Sequence, residues 1–241
     1  MTPPHRSRGL FLDLAEGIYW YLAVDVLLVL AVAPTLVLWT VMSPSPLSSM
    51  LFVLGALPML PAVAAGLHAS RVWREDRDLI PARHFLTGYR RNAVDSLKVG
   101  TPVLIVLSLV ALNLSTVASA GGGAPTIALL VTGAISLLVL VRVLSIVSTF
   151  SFRVRDTFRL AAFTLLAAPL STLALLSLSV LVLGMILMVS EFLLLVTASL
   201  LVFALWASER PVTRLIAERF VSPGPPDEAG TAPSPRPLGE S

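Results

Sequence analysis

Cysteine is absent from the chain, and charged residues make up only 13% of its 241 residues. The lack of cysteine excludes disulfides, thiolate metal sites and cysteine nucleophiles. Histidine is scarce as well, because only His5, His68 and His84 occur and no two of them have the i, i+4 spacing of a helical metal site. A soluble domain carries about 25% charged residues, so this chain has roughly half the usual charge. These shortages argue against a soluble domain.

Hydrophobic residues, by contrast, make up 56% of the sequence, and the mean hydropathy is +0.89. Runs of about 18 or more residues without a charge recur, and each is long enough to cross a hydrocarbon core of about 30 Å. Asp13 and Glu16 interrupt the apolar stretch that follows Arg6 and Arg8, so the first span is expected to be a retained anchor and not a signal peptide. The composition predicts an all-α polytopic protein embedded in the lipid bilayer of a cell membrane.

Six transmembrane helices account for the apolar runs. The first four are expected at residues 18–42, 51–69, 99–118 and 126–152. The run 160–208 is too long for one span at about 1.5 Å of rise per residue, and dividing it near Gly184 yields the fifth and sixth. The sequence therefore predicts a six-helix transmembrane domain over residues 18–208.

Basic residues follow an alternating pattern along this bundle, which predicts its orientation because cytoplasmic loops are enriched in Lys and Arg. Those that flank the spans occur at four places, namely Arg6 and Arg8; Arg71, Arg74, Arg77, Arg83, Arg90, Arg91 and Lys98; Arg153, Arg155 and Arg159; and Arg210, Arg214 and Arg219. The other three connections contain none. With six spans, segments 1–17 and 209–241 and the connection 71–98 are all cytoplasmic. The tail is expected to be disordered from about residue 221, because it is rich in Pro, Gly and Ser.

The connection 71–98 holds seven of the seventeen Lys and Arg residues. Pro81 suits the first turn of a helix, and apolar side chains recur from there at spacings of three and four, namely Phe85, Leu86, Tyr89, Ala93 and Leu97. The basic side chains lie mostly on the other side, which predicts an amphipathic helix in the headgroup layer. Three roles are open: a topological anchor, a docking platform for a partner or lipid headgroups, or a small-molecule site.

This region also carries a resemblance to a known family. The residues 64–98 read AAGLHASRVWREDRDLIPARHFLTGYRRNAVDSLK. They resemble the characteristic stretch of the YesL-like family of bacterial membrane proteins of unknown function, and the positions that match are Phe85, Tyr89, Arg90, Arg91 and Asn92. The segments LAVAPTL and FSFRVRDTFRLAAFTLLAAPL, at residues 30–36 and 150–170, resemble two further parts of the family pattern. Asp25 departs from that pattern, since an Asn is usual there.

The resemblance implies a bacterial cytoplasmic membrane protein, often a companion of carbohydrate uptake systems, and it assigns no catalytic residue. We therefore expect Arg83, Phe85, Tyr89, Arg90, Arg91 and Asn92 to contact a partner or lipid headgroups. That partner could be a membrane transporter complex, while the oligomeric state stays open.

Three charges lie inside predicted spans, namely Asp25, Arg142 and Glu191. A charge there costs at least about 2.5–3.5 kcal/mol unless it is paired or hydrated. Glu191 is expected to lie near the outer surface and to reach water. Asp25 and Arg142 have comparable depths from the cytoplasmic side, so they are expected to form an ion pair between the first and fourth spans. The alternative is that Arg142 extends its side chain to the cytoplasmic surface.

Motifs for chemistry are missing from the sequence. The turn AGGGAP lacks the Lys of a phosphate-binding loop, and no Ser–His–Asp set or HExxH pattern occurs. We expect no enzyme activity, no cofactor and no metal. The pI near 9.9 is explained by membrane topology, so no nucleic-acid partner is expected. The expected function is that of a non-enzymatic accessory or interaction protein, and the alternative is a small-solute transporter or channel.

Overall fold

The computed structural model describes residues 10–43, 45–76, 80–119, 121–150, 152–188 and 191–220. In these residues the regular elements are all α-helices, which confirms an all-α helical bundle. They are α1 (Leu10–Val41), α2 (Pro46–Leu54), α3 (Met59–Asp76), α4 (Pro81–Ser119), α5 (Ala124–Thr149), α6 (Val154–Ala167), α7 (Pro169–Met188), α8 (Glu191–Val196) and α9 (Ala198–Phe220). Most of segment 1–17 and the tail from residue 221, which was predicted to be disordered, lie outside the described residues.

Five stretches in the described residues are long and apolar enough to cross a membrane. They are Ala15–Val41, Pro46–Glu75, Pro81–Val117, Ala124–Thr149 and Pro169–Ile186. These spans confirm a polytopic membrane protein. A sixth span would have to be formed by α8 and α9, whose second half carries Glu209, Arg210 and Arg214, and the count of six stays a prediction.

The connection between the second and third spans differs from the expectation. Instead of a separate helix in the headgroup layer, residues 81–98 form the first half of α4, a continuous helix of 39 residues. At about 1.5 Å per residue α4 is roughly 58 Å long, about twice the thickness of the hydrocarbon core. One face of the first half packs against α3.

The bounds of the fifth span differ from the expectation. Helix α7 continues through Gly184 to Met188, and α8 begins at Glu191. A glycine costs a helix only about 1 kcal/mol relative to alanine, so Gly184 does not end it. The span begins at Pro169 and not at residue 160, because proline lacks the N–H that the preceding turn requires and α6 ends just before it.

Helix α3 forms the centre of the bundle, where it packs against α1, α4, α5 and α9. Four of its alanines have no exposed surface, namely Ala62, Ala64, Ala65 and Ala69. Small side chains let neighbouring helices approach closely, which is how helices associate where no hydrophobic effect drives them together. At one end of this core the ring of Trp20 on α1 stacks on that of Trp73 on α3, with 4.8 Å between ring centroids.

Candidate functional site

A buried ion pair joins α5 to α9. Both carboxylate oxygens of Glu209 lie 2.8 Å from Nη1 of Arg142. The two side chains are 0% and 2% exposed, so neither charge reaches solvent or lipid. Nη1 also donates to Ser171 Oγ at 3.1 Å, and Nη2 donates to Thr172 Oγ1 at the same distance. The pair therefore holds the start of α7 as well as α9.

A proline explains one of the hydroxyl contacts at this pair. Pro169 cannot donate an N–H to the carbonyl of Leu165, four residues earlier. The hydroxyl of Thr172 donates to that carbonyl instead, at 2.9 Å. Ser171 Oγ donates to the backbone carbonyl of Ser208 in α9 at 2.8 Å. The network thus combines an ion pair with a substitute donor for the carbonyl that Pro169 leaves unpaired.

The predicted ion pair between Asp25 and Arg142 is not formed, because each residue has a different partner. Arg142 points toward α7 and α9, where Glu209 lies. Asp25, on α1, accepts a hydrogen bond from the backbone N–H of Ser199 at 2.8 Å. This N–H is in the first turn of α9, where helices have unsatisfied donors and favour a negative charge. The alternative that Arg142 extends to the surface is also wrong, because its side chain is fully buried.

Glu209 is the residue that sequence reasoning missed, because it was assigned to the cytoplasmic segment 209–241. The signal that could have found it is periodicity. Buried residues of α9 recur at spacings of three and four, namely Val202, Leu205, Glu209, Val212 and Ile216. A carboxylate within such an apolar stripe requires a buried cationic partner, since an unpaired buried charge is very costly.

The six predicted contact residues of α4 separate into two groups. Arg83, Arg90 and Arg91 are exposed. Phe85 and Asn92 are only 2% and 6% exposed, so the expectation that they contact a partner or lipid headgroups is wrong. Tyr89 lies between the two groups, partly buried.

The predicted apolar face of this part of α4 divides between the bundle and the exterior. Of the residues expected on it, Phe85 is buried in the bundle and Leu86 is exposed, while Gly88 and Asn92 also face the bundle. The reason is the close approach of α3, because a Cβ atom at Gly88 would lie 2.9 Å from Cβ of His68. Gly88 therefore permits helix contact.

A central cavity of about 390 Å³ lies beside the ion pair, between α3, α4, α5, α7 and α9. Its lining is almost wholly hydrocarbon. The lining includes Leu175, one helical turn after Ser171 on α7, and Leu205, one turn before Glu209 on α9. The carboxylate, hydroxyl and Nη atoms of the network bind one another, so this arrangement holds helices together and leaves an apolar cavity beside them.

In the described residues, no group of three or more His, Cys, Asp or Glu side chains could hold a metal ion. Comparison with protein-family models, with curated proteins and with solved structures finds no match to this chain.

Proposed function

We propose that this chain is a non-enzymatic accessory protein of the bacterial cytoplasmic membrane, which docks a membrane transport complex through Arg83, Arg90 and Arg91. The observation that carries the proposal is the way these arginines are mounted. They project from a helix whose opposite face, at Phe85 and Asn92, is fixed in the bundle. Among the described residues none of the three forms an ion pair, so their charge is available to an acidic partner.

The rigid mounting matters for affinity. A side chain on a packed helix loses less freedom on binding than one on a mobile loop, so less of the interaction energy is spent on ordering. Arginine also presents a planar set of donors that matches a carboxylate in two-pronged geometry. A row of exposed arginines on α4 thus suits an acidic protein surface.

A role as a transporter has less support. A polar solute would require polar lining, whereas the central cavity is almost wholly hydrocarbon and the charges of Arg142 and Glu209 are paired with each other. Asp25 and Arg142, which were expected to form a site together, bind different partners. The link to carbohydrate uptake rests on the resemblance of residues 64–98 to the YesL-like family.

The orientation is part of the proposal, with both termini in the cytoplasm and six spans. It is supported by the exposed arginines at the start of α4 and α6 and in the second half of α9, namely Arg83, Arg90, Arg91, Arg153, Arg155, Arg159, Arg210 and Arg214. The external connections of this arrangement contain no basic residue.

A crosslinking experiment tests the docking. A photoreactive amino acid replaces Thr87, which is exposed on α4 between Arg83 and Arg90, and cells are irradiated. We expect a covalent complex with an integral membrane transport protein, identified by mass spectrometry. The triple variant Arg83→Gln/Arg90→Gln/Arg91→Gln should lose this complex, because the charged contacts are removed.

The matched control is Arg153→Gln/Arg155→Gln/Arg159→Gln, which removes the same charge from another exposed basic segment and perturbs topology to a similar degree. It should keep the crosslink. Absence of any protein crosslink in the unmodified background, or equal loss in both triple variants, would overturn the proposal.

A further inference from the structure

The central cavity has about 390 Å³ and an almost wholly hydrocarbon lining, and it is partly open to the outside of the bundle. A cavity of about 150 Å³ lined by aliphatic and aromatic side chains excludes water and accepts benzene. The central cavity is therefore large enough for an apolar occupant.

A second depression connects the cavity to the bilayer. A groove of about 430 Å³ runs between α4, α5 and α7 on the outside of the bundle. Cavity and groove share three lining residues, namely Leu107, Leu137 and Ser179. The groove also includes Leu130, Val180 and Leu183, which are 54%, 61% and 55% exposed on helices that cross the membrane. The cavity thus opens sideways onto the lipid-facing surface.

The chemistry of the lining selects the occupant. Among the residues that the structure describes, Ser179 is the one polar residue lining the cavity, and its hydroxyl donates to the carbonyl of Leu175 at 2.8 Å. Water needs two to four polar partners to remain in a cavity, and a polar solute needs comparable ones. A transmembrane helix of a partner, about 10–12 Å in diameter, is too wide for this space. A flexible hydrocarbon chain meets the requirements of volume, shape and polarity.

We propose that the cavity holds an acyl chain of a bilayer lipid, which enters from the groove past Leu107, Leu137 and Ser179. The headgroup stays outside, in the leaflet at the end of the bundle where α4 ends and α5 begins. The inner end of the cavity is closed by the layer that contains Arg142 and Glu209, so the chain stops there.

Photolabelling of the full chain in nanodiscs tests this. The nanodiscs contain phosphatidylcholine with a diazirine on its acyl chain, and adducts are located by peptide mass spectrometry. Leu144, Leu175 and Leu205 line the cavity and are 4%, 1% and 8% exposed, so adducts on them require a chain inside. Leu173, which is 57% exposed on α7, reports ordinary contact with lipid.

The variant Ser179→Phe places a bulky ring at the opening. We expect it to lose the adducts on the three cavity leucines while Leu173 is labelled as before. Ser177→Phe is the matched control, since Ser177 is exposed on the same helix and lines neither cavity nor groove. It should keep all adducts. Leu137→Phe closes the same opening should Ser179→Phe not fold.

Two results would overturn the proposal. One is a labelled Leu173 with unlabelled cavity leucines in the unsubstituted protein, which would mean that the cavity is empty. The other is unchanged labelling of the cavity leucines when the opening is closed, which would mean that the chain does not enter between α4, α5 and α7.

Discussion

Replacing Glu209 by glutamine should destabilise the bundle strongly. The substitution keeps the size of the side chain but leaves the guanidinium of Arg142 buried, at 0% exposure, without a compensating charge. Breaking a buried ion pair by removal of one partner costs about 3–5 kcal/mol. Since whole domains are stable by only about 5–15 kcal/mol, this loss should be plain in an unfolding experiment.

The same chain contains a matched exposed pair. Lys98 and Asp95 lie 3.4 Å apart, with side chains 58% and 48% exposed. Exposed pairs contribute about 0–1 kcal/mol, so Asp95→Asn should be nearly neutral. The free energy of unfolding of both variants can be measured in mild detergent by titration with sodium dodecyl sulfate, followed by far-ultraviolet circular dichroism.

A double variant separates the charge from the packing. Arg142→Met/Glu209→Leu removes both charges together and should be much less destabilised than Glu209→Gln, because a buried pair is often replaceable by apolar residues at little cost. The network with Ser171 and Thr172 would lose two donors, so some loss remains. The reasoning is refuted if Glu209→Gln is no less stable than Asp95→Asn, or if the double variant is as unstable as the single one.

Three further predictions concern packing, capping and topology. Gly88→Ala should lower the free energy of unfolding by about 1–3 kcal/mol, because the added Cβ would lie 2.9 Å from a side-chain carbon of α3. The control is Gly184→Ala, whose added Cβ has no atom within 4 Å. It should be neutral or slightly stabilising in the same titration with sodium dodecyl sulfate. Asp25→Leu should cost about 0.5–2 kcal/mol, because the first turn of α9 loses its acceptor, and a smaller loss than that of Gly184→Ala would contradict this role. Because the chain has no cysteine, a single cysteine can be introduced in place of Ser45 or of Arg214 and labelled in intact cells with a membrane-impermeant maleimide. The six-span orientation predicts that only the cysteine at position 45 is labelled. Labelling only at position 214 would contradict it.

Sequence reasoning performed unevenly on α4. Pro81 marks the start of the helix as expected, because proline is favoured in a first turn. Phe85, Leu86 and Leu97 were predicted to share one apolar face in the headgroup layer, whereas the structure buries Phe85 in the bundle and leaves Leu86 and Leu97 exposed. When apolar residues are frequent, more than one face of a helix carries them at spacings of three and four residues. Only packing against a neighbouring helix decides which of those faces is buried. Here Gly88 and the neighbouring α3 make that selection.

The paired charges show a related limit. The presence of Arg142 inside a span predicted a buried partner or a path to water, and a buried partner exists. Comparable depth singled out Asp25, but depth does not specify the direction in which a side chain points around its helix. The partner is Glu209, 67 residues away in the sequence, and the start of α9 takes Asp25 instead.

The sequence by itself determined the helical class, the membrane environment and the approximate positions of most spans. Long apolar runs can be stable in a bilayer only if each segment satisfies its own backbone hydrogen bonds, and α-helices do so. The tertiary structure decided which faces of those helices meet, that Arg142 pairs with Glu209, and that a cavity opens between α4, α5 and α7. These features depend on the relative rotation and approach of helices distant in sequence, which is set by side-chain packing between them.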